Sequence, residues 1–219
     1  MAWNPKTGFY VSTVILDAPW DDEVAKLDTH VGEHLSRACI EGRNFDEYLT
    51  FISFKSYDGN PLTKPSIKGK GEVPEDFIWT SIYYENPILR SLIDWFPVAK
   101  TRVRLARATP HKDLQLHFDW DNARHDFDPS EHQVRIFVSL DDTDCWYRLT
   151  DGQSDVHFQL SRGQFIVLDV DQVLHATENS DSVPRNNLVI QAKTNNWVRC
   201  LPDLFPKRTV LDPRYSDPQ

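Results

Sequence analysis

The pattern of apolar and polar positions changes texture near Pro97. Behind it, β-branched and aromatic residues come in short runs broken by Gly, Pro, Asn and Asp: Arg102–Ala108, Leu114–Trp120, Val134–Leu140, Trp146–Leu149, Val156–Leu160, Gln164–Val170 and Asn187–Lys193. Runs of this length and punctuation predict strands of a sandwich or jelly roll. Ahead of Pro97, Phe9–Leu16 (FYVSTVIL) reads as a strand closed by Asp17-Ala18-Pro19. A helix is expected from Asp21 or Asp22 to about Ala38, because Val24, Leu27, Val31, Leu35 and Ala38 form one apolar stripe behind an acidic cap. Tyr48–Tyr57 reads as a strand, and Asn86-Pro87 as an N-cap with proline in the first helical position, opening a helix through Trp95. Asp58–Pro74, rich in Gly, Pro and Lys, is expected to be a long surface loop covering a site.

No internal repeat is visible. The expected organisation is a mostly helical N-terminal α/β elaboration, residues 1–97, packed on a β core with a C-terminal tail, residues 98–219, as one structural unit. The aromatic load, 7 Trp, 12 Phe and 7 Tyr, suits a β-rich core and argues against disorder. Net charge is −9, and no Lys/Arg run could track a phosphate backbone, which excludes a nucleic-acid platform. An acidic chain can still carry a basic pocket. Cys39, Cys145 and Cys200 are odd in number and lack CxxC spacing, which points away from structural zinc and disulfides and toward a reducing, cytoplasmic setting. The start, Met1-Ala2-Trp3-Asn4-Pro5, has no basic or apolar leader region, and no run is long enough for a membrane span.

Chemistry concentrates in His117-x-Asp119, His175 and Arg185. Residues two apart on a strand share a face. A second imidazole from a later strand would complete the two-His, one-carboxylate triad that holds non-haem Fe(II) and leaves coordination positions open. Arg185, at the next predicted strand, could pair its planar fork with a carboxylate. His111-x-Asp113 is a competing pair, but Pro110 and Lys112 suggest a turn, whereas Leu114, Leu116 and Phe118 put His117 in a strand. Arg102, Arg104, Arg107 and Arg135 enrich the β half in guanidinium; one or two of them, Arg135 and Arg107 foremost, are candidates for a substrate carboxylate. Trp120 and Trp146 could stack on substrate or pack the core. His30-Val-Gly-Glu33-His34 matches a zinc-peptidase pattern on a helix, although Gly32 weakens that helix and no third ligand is evident. Neither a Gly-x-Ser-x-Gly elbow nor a phosphate-binding Gly-rich loop is present.

The stretch Arg102–Lys193 resembles the aspartyl/asparaginyl β-hydroxylase branch of the Fe(II)/2-oxoglutarate oxygenases, including the small bacterial proline cis-hydroxylases. The resemblance runs through Arg107-Ala-Thr-Pro110 to His117-Phe-Asp119, then Arg135-Ile-Phe-Val-Ser-Leu140 and Cys145-Trp146. It continues through Gly163 and Phe165–Asp169 to His175, Asn179 and Pro184-Arg185. There is one departure: where the family often carries Arg-x-His, this chain has Arg135-Ile136-Phe137. The polar insert Asn122–His132 has no counterpart and is expected at the site's rim.

The resemblance implies a mainly β, cupin-like double-stranded β-helix (jelly roll) with flanking N-terminal helices. It implies Fe(II) on His117, Asp119 and His175, and the C5 carboxylate of 2-oxoglutarate on Arg185. The expected reaction is hydroxylation of an unactivated C–H bond with O2, while 2-oxoglutarate is decarboxylated to succinate and CO2. Asp119 itself points to hydroxylation or desaturation, since related halogenases replace that carboxylate with a small residue. The expected substrate is a small molecule, a free amino acid or derivative, with no nucleic-acid or membrane partner. The alternatives are a peptidyl or protein hydroxylase, a zinc peptidase on His30 and His34, and a non-catalytic jelly-roll binding module.

Overall fold

Alternating β-branched and aromatic residues can bury one or both faces of a pleated strand, and the chain uses them to build two stacked antiparallel sheets. The structure, a computed structural model, describes residues 9–12, 14–33, 36–37, 49–62, 74–117, 133–142, 145–150, 155–169, 173–179 and 182–204. In chain order the elements are β1 (Phe9–Val11), α1 (Asp21–Glu33), β2 (Ser36–Arg37), β3 (Leu49–Ser56), β4 (Ile78–Trp79), α2 (Ser81–Glu85) and α3 (Pro87–Trp95). Then come β5 (Lys100–Ala108), β6 (Lys112–His117), β7 (Gln133–Ser139), β8 (Cys145–Thr150), β9 (Asp155–Gln159), β10 (Phe165–Asp169), β11 (Leu174–Asn179), β12 (Arg185–Lys193) and α4 (Asn196–Leu204).

The larger sheet runs β1-β10-β7-β12-β5-β3-β2, with β4 on β3, and the smaller runs β6-β11-β8-β9. From β5 onward the chain passes back and forth between the sheets. The four central strands of the larger sheet (β10, β7, β12, β5) thereby face the four strands of the smaller one. That winding is the double-stranded β-helix. Both flanks of the larger sheet come from the front of the chain, where β1 and β3 fall in runs read as strands and pair with β10 and β5; the helix expected to about Ala38 ends at Glu33, and Ser36–Arg37 pairs with β3 instead.

Parity along the strands sets two cores. Val134, Ile136 and Val138 of β7, Leu188 and Ile190 of β12, and Val103 and Leu105 of β5 face the helices, packing with Trp20, Leu27, Leu89, Ile93, Phe96, Val198 and Leu201. On the opposite face Ile166 and Leu168 of β10 meet Tyr147, Leu149, Val156 and Phe158 of the smaller sheet, with Phe137 against them. Each fully buried large side chain contributes roughly 1.5–3 kcal/mol. β12 is the central strand, covered on both faces, and all but its last residue are buried. Arg185, Asn187, Val189 and Gln191 alternate with the helix-facing set and so look into the gap between the sheets.

Two local devices set the edges. Residues 12 and 14–20 are strapped along the turn before β10: Ser12 N–H donates to Phe165 O (2.8 Å), Leu16 N–H to Gly163 O (2.9 Å) and Trp20 Nε1 to Leu140 O (2.8 Å). Gly163 turns the chain there with φ 77°. Asn86 precedes α3 as expected, but its side chain does not cap that helix; Nδ2 donates to Ile82 O (2.7 Å) and closes α2. The orphan N–H groups of Ile88 and Leu89 are taken instead by the Glu23 carboxylate from α1, at 3.0 and 2.8 Å.

Candidate active site

β6 and β11 are neighbours, and His117 and His175 are directly paired across them. Their ring centroids are 4.4 Å apart, tilted by 46°, and both residues are buried at 4 % and 5 % exposure. The register slips between His175 and Thr177: His117 faces His175, but Leu114, not Gln115, faces Thr177. The extra residue in β6 is a bulge, which re-aims side chains locally. Gln115 is exposed, and its carbonyl lies 2.8 Å from His117 Nδ1. His175 Nδ1 lies 3.2 Å from the carbonyl of Val173, also two residues back.

A carbonyl oxygen can only accept, so each Nδ1 carries the proton and each Nε2 the ring lone pair. An imidazole held by Nδ1–H against a backbone carbonyl, with Nε2 as the donor atom, is the usual dress of a metal-ligating histidine. Two such nitrogens side by side fit Fe(II).

Levels within the gap follow from contacts between the sheets. Asn179 Nδ2 donates to Thr109 O at 3.0 Å, beside Ala108, which pairs with Arg185. Two residues back, Thr177 pairs with Tyr147, whose hydroxyl is 3.2 Å from the Asn187 amide and whose ring packs against Phe137 at 6.3 Å. Two further back is His175. Walking from residue 179 to 175 thus moves from the Arg185 end of β12 toward Val189, flanked by Phe137 on β7 and Arg104 on β5. The histidines stand at that level, and Arg185 lies at the other end of this run along β12, in the same gap.

Arg185 is 4 % exposed. Its Cζ lies 4.8 Å over the Tyr147 ring, and the Asn187 amide faces Nη2 and Nε at 2.8 and 3.0 Å. Guanidinium only donates, so the amide oxygen is the end that faces it, and the amide nitrogen donates to Tyr147 Oη at 3.2 Å. Two sides of the fork are therefore held by an aromatic face and an amide.

Of the other sequence candidates, Arg135 lies on the gap face of β7, buried at 8 % exposure, one level beyond Phe137. The structure does not bring Arg107 or Trp146 to the gap. Arg107 pairs with Asn186, on the helix-side parity of β5, and Trp146 pairs with Glu178 and Gln159 on the outer face of β8. One residue of parity separates each from the gap. Asp119, Trp120, His34 and the insert Asn122–His132 lie outside the described residues, as do residues 63–73 of the expected loop; of His30 only the backbone, in α1, is described. His111 sits exposed in the β5–β6 turn with φ 53°. Tyr147 and Asn187 were missed. The signal for Tyr147 was there: it alternates with Leu149 in one phase, while Trp146 shares the other with the polar Arg148 and Thr150. Phe137, where the related family often has histidine, points into the gap and puts a ring edge beside Tyr147.

No protein-family model matches the sequence. No curated protein is significantly similar to it. In structure the chain is similar to a prolyl hydroxylase from Trichoplax adhaerens, solved with a hypoxia inducible factor oxygen degradation domain peptide. There the identity is 12 %, the coverage 91 % of this chain and 89 % of that one, and the TM-score 0.54. It is similar to SnoN, a non-heme alpha ketoglutarate dependent epimerase from nogalamycin biosynthesis (13 %; 85 % and 78 % covered; TM-score 0.52). A third is an oxidoreductase of the 2OG-Fe(II) oxygenase family from Burkholderia pseudomallei (15 %; 90 % of each chain; TM-score 0.50). At these identities the likeness is one of fold: this chain is built on the double-stranded β-helix that these oxygenases share.

Proposed function

We propose that the protein is an Fe(II)- and 2-oxoglutarate-dependent oxygenase that hydroxylates a C–H bond of a small molecule, a free amino acid or derivative. The observation that carries this is the facing pair His117 and His175, buried in the gap with both Nδ1 atoms tied to carbonyls, with Arg185 buried on the same inner surface. His117 and His175 would hold Fe(II) through Nε2, and Asp119 would supply the third ligand. When bound, the iron supplies activation of O2 coupled to decarboxylation of 2-oxoglutarate to succinate and CO2.

The chain's own part is to bind, orient and keep dry. Arg185 offers two parallel N–H donors to the C5 carboxylate, and the Tyr147 face and Asn187 amide keep that fork from swinging. Phe137, Leu149, Leu168 and Ile166 wall the gap with carbon, which strengthens charge-assisted hydrogen bonds inside it. Phe137 donates no hydrogen bond, so the C1 end of the co-substrate is left to the metal and to other groups.

The test is succinate formation from 2-oxoglutarate under air with Fe(II), with 2-oxoglutarate binding measured alongside so that the co-substrate site is scored independently of turnover. Turnover and metal binding should be lost in His175→Ala and Asp119→Ala, and 2-oxoglutarate affinity should fall in Arg185→Ala. Unchanged 2-oxoglutarate affinity in Arg185→Ala would sink the co-substrate assignment. Zinc retained through His34 but not His175 would transfer the reading to a peptidase. A panel of free amino acids, scored for a gain of about 16 daltons (one oxygen atom), then separates a small-molecule hydroxylase from one acting on peptides.

A further inference from the structure

Every residue of β7 is buried except Phe137, which is half-buried. Its partners on the same face of the sheet, Ile166 and Val189, are closed off at 0 % and 3 % exposure. Phe137 points into the gap, where its ring meets Tyr147 edge-on at 6.3 Å, so the part of it left open is gap surface. Strand pairing defines what lies around that opening. Across the larger sheet Val11, Ile166, Phe137 and Val189 stand side by side, and the next residue in the row, beyond Val189, is Arg104. Across the smaller sheet the row of His117 and His175 continues into Leu149 and Val156. The two rows stand at one level, so a molecule held between the histidines and the larger sheet meets carbon on Phe137, Val189 and Leu149. A phenyl ring offers no strong hydrogen bond. A polar group laid on it gives up water for nothing, whereas hydrocarbon laid on it gains.

We propose that Phe137 determines specificity and that the molecule oxidised is an amino acid with an aliphatic side chain, whose hydrocarbon part lies against this ring and carries the C–H bond that is attacked. This rests on the oxygenase reading above and narrows its substrate class. Phe137 then selects against a polar side chain of the same shape, because the amide or hydroxyl would be desolvated without a partner.

The experiment uses the Fe(II)-loaded protein without oxygen, its co-substrate site saturated with N-oxalylglycine, titrated calorimetrically with L-leucine and with its polar isostere L-asparagine. Leucine should bind at least about tenfold more tightly, a difference of about 1.4 kcal/mol. The preference should persist in Phe137→Leu, which keeps a hydrocarbon surface. It should shrink to within about twofold in Phe137→His and in Phe137→Asn, which put hydrogen-bonding groups in its place, with urea unfolding of each variant as the check on its fold. Equal binding of the two amino acids, binding of neither, or a preference that persists in the polar variants overturns the proposal while leaving the oxygenase reading in place. Failure of the wild type to bind N-oxalylglycine overturns that reading as well.

Discussion

The guanidinium of Arg185 sits over the ring of Tyr147, with Cζ 4.8 Å from the ring centre, and the two residues come from different sheets. This contact and the Asn187 amide tie the sheets together at the level where a carboxylate would be received. Such a cation–π contact is worth about 0.5–2 kcal/mol when shielded from water.

Asn187→Leu keeps the volume but leaves guanidinium N–H groups buried without their amide oxygen. A buried donor left unmet costs about 1–3 kcal/mol. The expected outcome is a loss of 2-oxoglutarate affinity of about 5- to 150-fold by calorimetry. Tyr147→Phe, which keeps the ring face, should lose much less. Equal losses in the two would show that the hydroxyl, not the ring, does the holding.

Gly163→Ala should destabilise the fold more than Gly59→Ala. Both residues have positive φ, 77° and 73°, so both substitutions carry the backbone penalty of about 1 kcal/mol. A Cβ at residue 163 would in addition drive into the backbone carbonyl of Leu16, whereas at residue 59 it would touch only the Ile78 side chain at 3.4 Å. Urea unfolding of the two variants reads the difference. If they unfold alike, the strap over residues 12 and 14–20 gives way without cost.

Tyr83 should ionise late. Burial, the hydrogen bonds to Asp94 (2.8 Å to each oxygen) and the charge of that carboxylate push its hydroxyl up to about 12. The native state thus holds its proton beyond the ordinary tyrosine value near 10. The associated stability is complete below pH 10 and is lost as the pH rises toward 12. Phenolate absorbance of the wild type minus that of Tyr83→Phe should show a single group titrating near 12; a midpoint near 10 would contradict the contact with Asp94.

The β half was legible because its strands are apolar on at least one phase. Val134–Leu140 and Asn187–Lys193 were placed within two residues of β7 and β12. β11 was not read as a strand, because Leu174-His-Ala-Thr-Glu-Asn179 hides its buried phase in His175, Thr177 and Asn179. Polar residues that serve a site look like a loop. The same blindness let Trp146 stand for Tyr147: size suggested the tryptophan, while the alternation with Leu149 names the tyrosine. Arg107 was preferred to Arg104 without knowing which phase of β5 faced the helices, and that phase is set by pairing with β12, far along the chain. Glu23 as the cap of α3 could not be read locally, since its partners are 65 and 66 residues away.

β12 fills the middle of the larger sheet, between β7 and β5, yet among the described residues it is the last strand in chain order. During synthesis, at roughly 5–20 residues per second, β5 and β7 emerge seconds before the strand that joins them, each with an open edge. A nascent chain of this design has to keep those two edges from pairing with each other or with a neighbour. Arg185 opens β12, so the pocket's anion-binding fork is delivered by the same late event that closes the sheet.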